Sequence, residues 1–220
     1  MFPEGKFDVI IQLNQKVETR GYKDQVWKSR PNTFIGGLHK ESYYIKAKKD
    51  TIILGIQFKF GAARHFIHAD LTDYRDNIVD LELTGFDHDD LSDLNCKTED
   101  HELIKSAEEF LVKQFNYKPD EQIDKSLGLL INKSYSYTVK EVAKAVGLSD
   151  SRFRQRFSET IGISPKNYQK IIRFNRILEY GKSSINHDLL DLVIQGNYYD
   201  QSHLIKDFKA ITGSTPTNIL

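Results

Sequence analysis

Two short stretches carry side chains of the types that bond the edges of nucleic-acid bases. Ser151, Arg152, Arg154 and Gln155 form one, and Gln201, Ser202, Ile205 and Lys206 form the other. Arginine can bond guanine bidentately, glutamine can do the same to adenine, serine and lysine suit base edges or phosphates, and an isoleucine can meet a thymine methyl. This chemistry makes and breaks no covalent bond. It depends on holding each set on one face of a rigid element.

The elements that must hold them are repeated. A shift of 50 residues pairs Val139 with Leu189, Val142 with Leu192, Ala143 with Val193 and Leu148 with Tyr198. Beyond the turn, a shift of 51 pairs Phe153 with Leu204, Phe157 with Phe208, Gly162 with Gly213 and Pro165 with Pro216, so the second copy has one extra residue in its turn. Each copy reads as an apolar helix of about two turns, a tight turn, and a second helix capped at its start by Ser149 or Asp200. That is the helix-turn-helix plan, whose second helix can lie in a DNA major groove. At about 100° per residue, burying Phe153 and Phe157 turns Ser151 and Gln155 outward with Arg152 and Arg154 beside them. Burying Leu204 and Phe208 turns Ser202 and Lys206 outward, flanked by His203 and Ile205, with Gln201 at the helix start. An outward isoleucine is odd on a solvated face and reasonable against a thymine methyl. For either helix alone a solvated polar face is the plainer reading; two copies with matched turns, caps and trailing G-x-S/T-P favour a pair of readers.

At these residues the sequence resembles the C-terminal DNA-binding domain of the AraC family of bacterial transcription regulators. The resemblance runs from Pro119 to Leu220 and rests on "VGLSDSRFRQRFSETIGISPKNY" and "DQSHLIKDFKAITGSTP". It implies two helix-turn-helix units joined by a long helix, here "SPKNYQKIIRFNRILEYG", with both recognition helices on one face of double-stranded DNA, where successive major grooves lie about 34 Å apart. The family's base-reading positions carry over to Ser151, Arg154 and Gln155, and to Gln201, Ser202 and Lys206. The sequence departs from the family at Asn197, where glycine is usual, although asparagine is the next most tolerant of a left-handed turn. It departs again at Ile219, where an aromatic is common. The partners this implies are promoter or operator DNA, with RNA polymerase, a small-molecule effector and a second copy of the chain as further candidates.

The totals are compatible with that expectation once they are localised. A chain of 220 residues admits one large domain or two small ones. There is no apolar run of roughly eighteen residues and no basic-then-apolar leader, so neither a membrane span nor export is expected, and a cytoplasmic setting is. Cys96 is the single cysteine, which fits a reducing compartment and excludes an internal disulfide or a cysteine-built zinc site. The net charge is zero, yet from Ser126 onward 13 Lys and Arg face 8 Asp and Glu, leaving 18 against 23 before it. A basic half joined to an acidic half points to an anionic partner for one half only.

The first third reads as short strands, "FDVIIQL", "DQVWKS", "NTFIGG", "SYYIKA" and "TIILGIQFKF", which predicts a small antiparallel sheet or barrel. One or two helical turns after Gly61 and a last strand near Asn77 to Leu83 follow. An acidic connector from Phe86 to Glu102, with room for one short helix, leads to a helix over Asp100 to Phe115. Its stripe of Leu103, Ala107, Phe110 and Leu111 suits packing on its own domain or a dimer contact. Pro119 opens a further helix. The expected fold class is α+β: a mostly antiparallel β domain over residues 1–98, a connecting helix over 99–118, and an all-α domain with two helix-turn-helix units over 119–220.

The first half is similar to a sensor-like domain found upstream of some AraC-type domains. Pro3-Glu4-Gly5 and Gly55-Ile56-Gln57-Phe58 carry the similarity, and Phe60 stands where proline is usual. Such domains usually begin with more sequence, so the resemblance implies that an initial strand or two is absent. It also implies modulation through an effector or oligomerisation, with no effector site assigned: Trp27, Phe34, Tyr43, Tyr44, Ile56 and Phe58 suit a pocket and, more often, a core. His65 and His68 could pair on a metal with His39, Asp70 or His88, but no spacing brings in that third ligand. No metal, cofactor or catalysis is expected. Two other classes compete. One is a DNA-targeted enzyme of the alkyl-transfer repair kind, for which Cys96 is poorly placed, since an acidic connector raises a thiol's pKa. The other is a small-molecule-binding protein whose helical half makes protein contacts alone.

Overall fold

The chain is described here by a computed structural model over residues 1–84, 86–133, 137–183 and 188–220. Among the described residues seven strands come first: β1 (Asp8–Gln12), β2 (Glu18–Gly21), β3 (Lys28–Ser29), β4 (Thr33–Gly36), β5 (Tyr43–Lys46), β6 (Ile53–Gln57) and β7 (Ile78–Asp80). They form two antiparallel sheets, one ordered β6-β1-β4-β7 and one ordered β3-β2-β5. In β1 the alternation expected of a half-buried strand puts Val9 and Ile11 into the core. The register then sets Val9 opposite Ile35 of β4 and Ile56 of β6, which share its burial.

Several strand expectations need correction. "DQVWKS" contributes only Lys28–Ser29, and the strand expected near Asn77 to Leu83 is β7 followed by a 3-10 turn over Leu81–Thr84. The two helical turns after Gly61 are 3-10 turns over Ala62–His65 and Leu71–Tyr74. Strand β2 has no counterpart among the expected strands. Thr19 is its one buried side chain, so "ETRG" shows no apolar pattern, and it is held by ladder bonds to both neighbours.

Eight α-helices follow among the described residues: α1 (Asp89–Ser92), α2 (Asp100–Gln114), α3 (Glu121–Lys133), α4 (Val139–Ala145), α5 (Asp150–Ile161), α6 (Pro165–Ser183), α7 (Leu189–Gln195) and α8 (Gln201–Thr212). A 3-10 turn over Pro216–Asn218 ends the chain's regular structure. The α2 stripe packs inward: Phe110 is buried, and Leu103, Ala107 and Leu111 lie against the same core. Among the described residues no helix is long and apolar enough to cross a membrane.

The apolar interior is divided unevenly. One continuous core joins the strands, through Phe7, Val9, Ile35 and Phe58, to α3, α5 and the first half of α6, through Ile123, Phe157 and Tyr168. A second, smaller core gathers Phe174, Ile177 and Leu178 of α6 with Leu192, Val193, Leu204, Phe208 and Ile211 of α7 and α8. Helix α6 is thus shared, one half in each core. The β domain also bonds both helical units. Arg75 Nε donates to Gly162 O at 2.9 Å and Arg64 pairs with Asp124, while Asn175 Nδ2 donates to Pro3 O at 2.9 Å and Ser42 N–H to Ile211 O at 2.7 Å.

Candidate nucleic-acid interface

The local chemistry of the two units explains their shape. Helix α4 starts with Thr138 and Glu141 in a reciprocal capping box, and α7 starts with Asp188 and Asp191 in another. The turn after α4 uses Gly147 at φ +73° and the turn after α7 uses Asn197 at φ +48°, both left-handed. The extra residue of the second turn is Tyr199, which is 92% exposed. Ser149 then accepts the Arg152 N–H at 3.3 Å and Asp200 accepts the His203 N–H at 2.7 Å, satisfying first-turn donors of α5 and α8. Gly162 and Gly213, both left-handed, end the two helices.

Packing fixes which side of each second helix faces out. In α5, Phe153, Phe157 and Ile161 are buried, with the two phenyl rings edge to face at 5.5 Å. Ser151, Arg152, Arg154 and Gln155 are all exposed on the opposite side. In α8, Leu204, Phe208 and Ile211 are buried, and Phe208 meets Phe174 of α6 at 4.8 Å. Gln201, Ser202 and Lys206 are exposed, while Ile205 is only half exposed, at the border between the faces.

Two of the outward groups are already engaged within α5. Arg154 Nε donates to Asp150 Oδ2 at 2.9 Å, and Gln155 Nε2 donates to Glu159 Oε1 at 2.9 Å. These are exposed pairs one helical turn apart, weak enough to exchange for a stronger acceptor. Arg156, by contrast, bonds Asp120 at 3.0 Å and also Gln122, and so ties α5 to the start of α3. On α8 the buried carboxylate of Asp207 lies 3.0 Å from Lys170 and 3.9 Å from Arg173, anchoring the helix to α6.

The outer sides of the first helices add residues that the sequence pattern of the second helices does not reach. Lys140 and Lys144 are exposed one turn apart on α4, where the first helix of such a unit crosses the phosphate backbone. The equivalent positions on α7 are Leu190 and Ile194, which are 56% and 65% exposed. The signal that could have found the lysines is their own i, i+4 spacing in the sequence.

The candidate metal histidines are occupied otherwise. His65 Nδ1 accepts the Lys118 N–H at 3.0 Å and its ring stacks on Tyr117 at 5.3 Å. His68 Nε2 lies 2.9 Å from Gln114 O, so both fasten the β domain to the α2–α3 connection. Among the described residues no cluster of three His, Cys, Asp or Glu side chains could hold a metal ion. Cys96 is a free, exposed thiol. Of the candidate pocket residues, Phe34, Ile56 and Phe58 are core residues, and Trp27 and Tyr44 flank the Arg20 guanidinium at 5.0 and 5.1 Å.

Residues 142–220 match the family model described as a helix-turn-helix domain, and residues 1–80 match the model of a domain of unknown function (DUF6597). No curated protein matches the chain significantly. Solved structures of ToxT from Vibrio cholerae have a similar fold. One at 1.65 Å resolution aligns with a TM-score of 0.52 and 10% identity over 99% of this chain and 91% of its own. A second, bound to (E)-4-(8-methylnaphthalen-1-yl)but-3-enoic acid, aligns with a TM-score of 0.54 and 8% identity over 99% and 91%. A third, bound to an unsaturated fatty acid, gives 0.50 and 10% over 99% and 87%.

Proposed function

We propose that this chain, which through residues 142–220 belongs to the AraC-type helix-turn-helix DNA-binding domains, is a sequence-specific transcription regulator reading two adjacent major-groove half-sites. The observation that carries the reading is the pair of matched units on one continuous helix. Each unit leaves a polar face outward on α5 or α8 and buries the other side against α6. Ser151, Arg154 and Gln155 take base edges in one half-site, with Arg152 on the phosphates beside them. Gln201, Ser202 and Lys206 take the other, and Ile205 reaches its thymine methyls from the border of the face. Lys140 and Lys144 add phosphate contacts to the first unit alone.

Residues 119–220 form the reader, residues 99–118 the connection, and residues 1–98 a domain that modulates binding. The ToxT structures of similar fold that hold an unsaturated fatty acid or a butenoic acid derivative support a small-molecule effector for that domain. The setting is the cytoplasm, where RNA polymerase and a second copy of the chain are the protein partners a promoter-bound regulator would meet. The mechanism is positional, with no bond made or broken.

Selection from a random duplex pool with the full chain tests the reading. The expected motif is bipartite and asymmetric, its halves about 10 base pairs apart, and its affinity falls steeply with salt. A single half-site, or no enriched sequence, would overturn it.

A further inference from the structure

Between the two sheets, beside the end of α8, lies a cavity of about 430 Å³. Strands β2 and β3 line it together with the residues just before β5 and the start of β7, and half of its lining residues are charged. Two of its ion pairs are self-contained, Lys23 with Glu41 at 2.6 Å and Lys40 with Asp76 at 2.6 Å. The remaining charged lining residues are Arg20, Lys28 and Arg30 against Asp24, so the cavity has an unbalanced positive charge. Burial pushes the Tyr43 hydroxyl up to about 12, so it does not offset that charge near neutral pH, and burial holds His39 below its usual range.

Unmade hydrogen bonds collect at the same place. Seven buried side-chain polar atoms lack a partner among the described residues, and three of them, Arg20 Nε, His39 Nε2 and Ser42 Oγ, belong to the cavity lining. Buried polar groups are almost always bonded, because leaving them unmade forfeits their hydration without return. Three donor-capable groups without a partner thus lie beside the Arg20 and Arg30 guanidinium groups, which have no carboxylate partner among the described residues, although Arg30 Nε donates to Thr19 Oγ1 at 2.5 Å.

We propose that this cavity binds a compact oxyanion, a metabolite carrying two or more carboxylate or phosphate groups, and that its occupancy adjusts the second recognition helix. The proposal rests on reading residues 1–98 as an effector domain and names that effector's chemistry. Arginine forks suit such groups, and charged walls disfavour a long apolar tail. Transmission runs through two residues of the cavity wall. The Tyr22 hydroxyl donates to Lys209 O and Ala210 O at 3.4 and 3.3 Å, and Ser42 N–H donates to Ile211 O at 2.7 Å. Those carbonyls belong to the last turn of α8; Lys209 O also accepts the Gly213 N–H at 2.9 Å, and the others lie past the last intrahelical donors. The Tyr22 ring also fills the space a side chain at Gly213 would need, so it is seated closely against the helix end. A ligand that bonds Ser42 Oγ therefore moves the group that caps α8.

Citrate and inorganic phosphate are the probes, titrated into the full chain at ionic strength held constant with chloride. Trp27 is the only tryptophan, 5.0 Å from the Arg20 guanidinium, so its fluorescence reports on the site, and calorimetry gives the affinity. One or both probes should saturate, and their ratio tells whether carboxylate or phosphate is preferred. Arg20→Gln and the exposed Lys28→Gln should each weaken binding about tenfold, and Lys105→Gln on α2 should not. Tyr22→Phe should keep the anion affinity and lose the anion's effect on duplex affinity. A response that does not saturate, or that ignores both Arg20→Gln and Lys28→Gln, overturns the site; an undiminished anion effect in Tyr22→Phe overturns the coupling. Duplex selection without anion saturation sinks this proposal and leaves the regulator reading standing; anion saturation without duplex selection sinks the regulator reading and the coupling and leaves only the anion site.

Discussion

Phe157 of α5 and Phe208 of α8 occupy equivalent places in the two units, and both are fully buried, but in different cores. Phe157 meets Tyr168 at 5.6 Å, and Tyr168 meets Phe60 of the β domain at 6.0 Å, so the first unit continues into the strands. The fit there is close: a Cβ at Gly162 would lie 2.8 Å from Leu71 O and 3.2 Å from the Phe7 ring. Phe208 packs on Phe174, and the β domain touches its unit from outside, through Phe2 on Phe174 and through Tyr22 and Ser42 on the end of α8. The first reader is thus built into the N-terminal domain, while the second is held by half of α6 and a few hydrogen bonds. Their outer surfaces differ in the same direction, lysines on α4 and apolar residues on α7. The first unit is suited to anchoring, the second to being adjusted.

The sharpest way to break that contrast is to remove the two phenylalanines. Each truncation to alanine should cost about 3–5 kcal/mol. Phe157→Ala should lower hydrogen-exchange protection in β1 and β6 as well as in α4 and α5. Phe208→Ala should lower it from α7 onward and leave the strands protected. The same pattern in both variants would mean one core, not two. Next in size is Arg154→Ala, which should weaken duplex binding by about tenfold to a hundredfold and relax the preference at one base pair. Lys206→Ala in the second unit should cost less than about tenfold. Competition with single-base variants of the selected duplex separates the cases; an equal loss on every sequence would make Arg154 a phosphate contact.

The parts of this structure that were legible in the sequence are those in which cause and effect lie within one turn or one helix. Caps at Ser149 and Asp200, the left-handed turn at Asn197, and the outward sides of α5 and α8 follow from local residue types and spacing. Ile205, expected on the outward side, is only half exposed because it lies next to the buried Leu204 at the border of the apolar face. Strand β2 was hidden because its stability comes from ladder bonds to β3 and β5, which leave no mark in "ETRG". The docking of the halves was hidden too. Arg64 with Asp124, or Tyr22 with Ala210, joins residues far apart in sequence by single polar contacts that no periodicity announces.

Charge should separate the units more gently than base reading does. Replacing Lys140 and Lys144 together by alanine should reduce the slope of log affinity against log salt by about 2, near 0.9 for each phosphate no longer neutralised. Replacing Leu190 and Ile194 should leave that slope unchanged, and an equal drop in both would erase the distinction between α4 and α7.

The smallest test concerns the turns themselves. Gly147 and Asn197 both hold positive φ, and a Cβ at Gly147 would meet nothing within 4 Å, so an asparagine placed there faces only the backbone preference. Gly147→Asn should therefore destabilise by about 0.5 kcal/mol in denaturant unfolding, and Asn197→Gly makes the exchange the other way. Duplex affinity should stay the same throughout, because the spacing of α5 and α8 is set by α6 rather than by either turn. If affinity changed while stability did not, Asn197 would be contributing to recognition, and the longer second turn with Tyr199 would have to be counted as part of the reading surface.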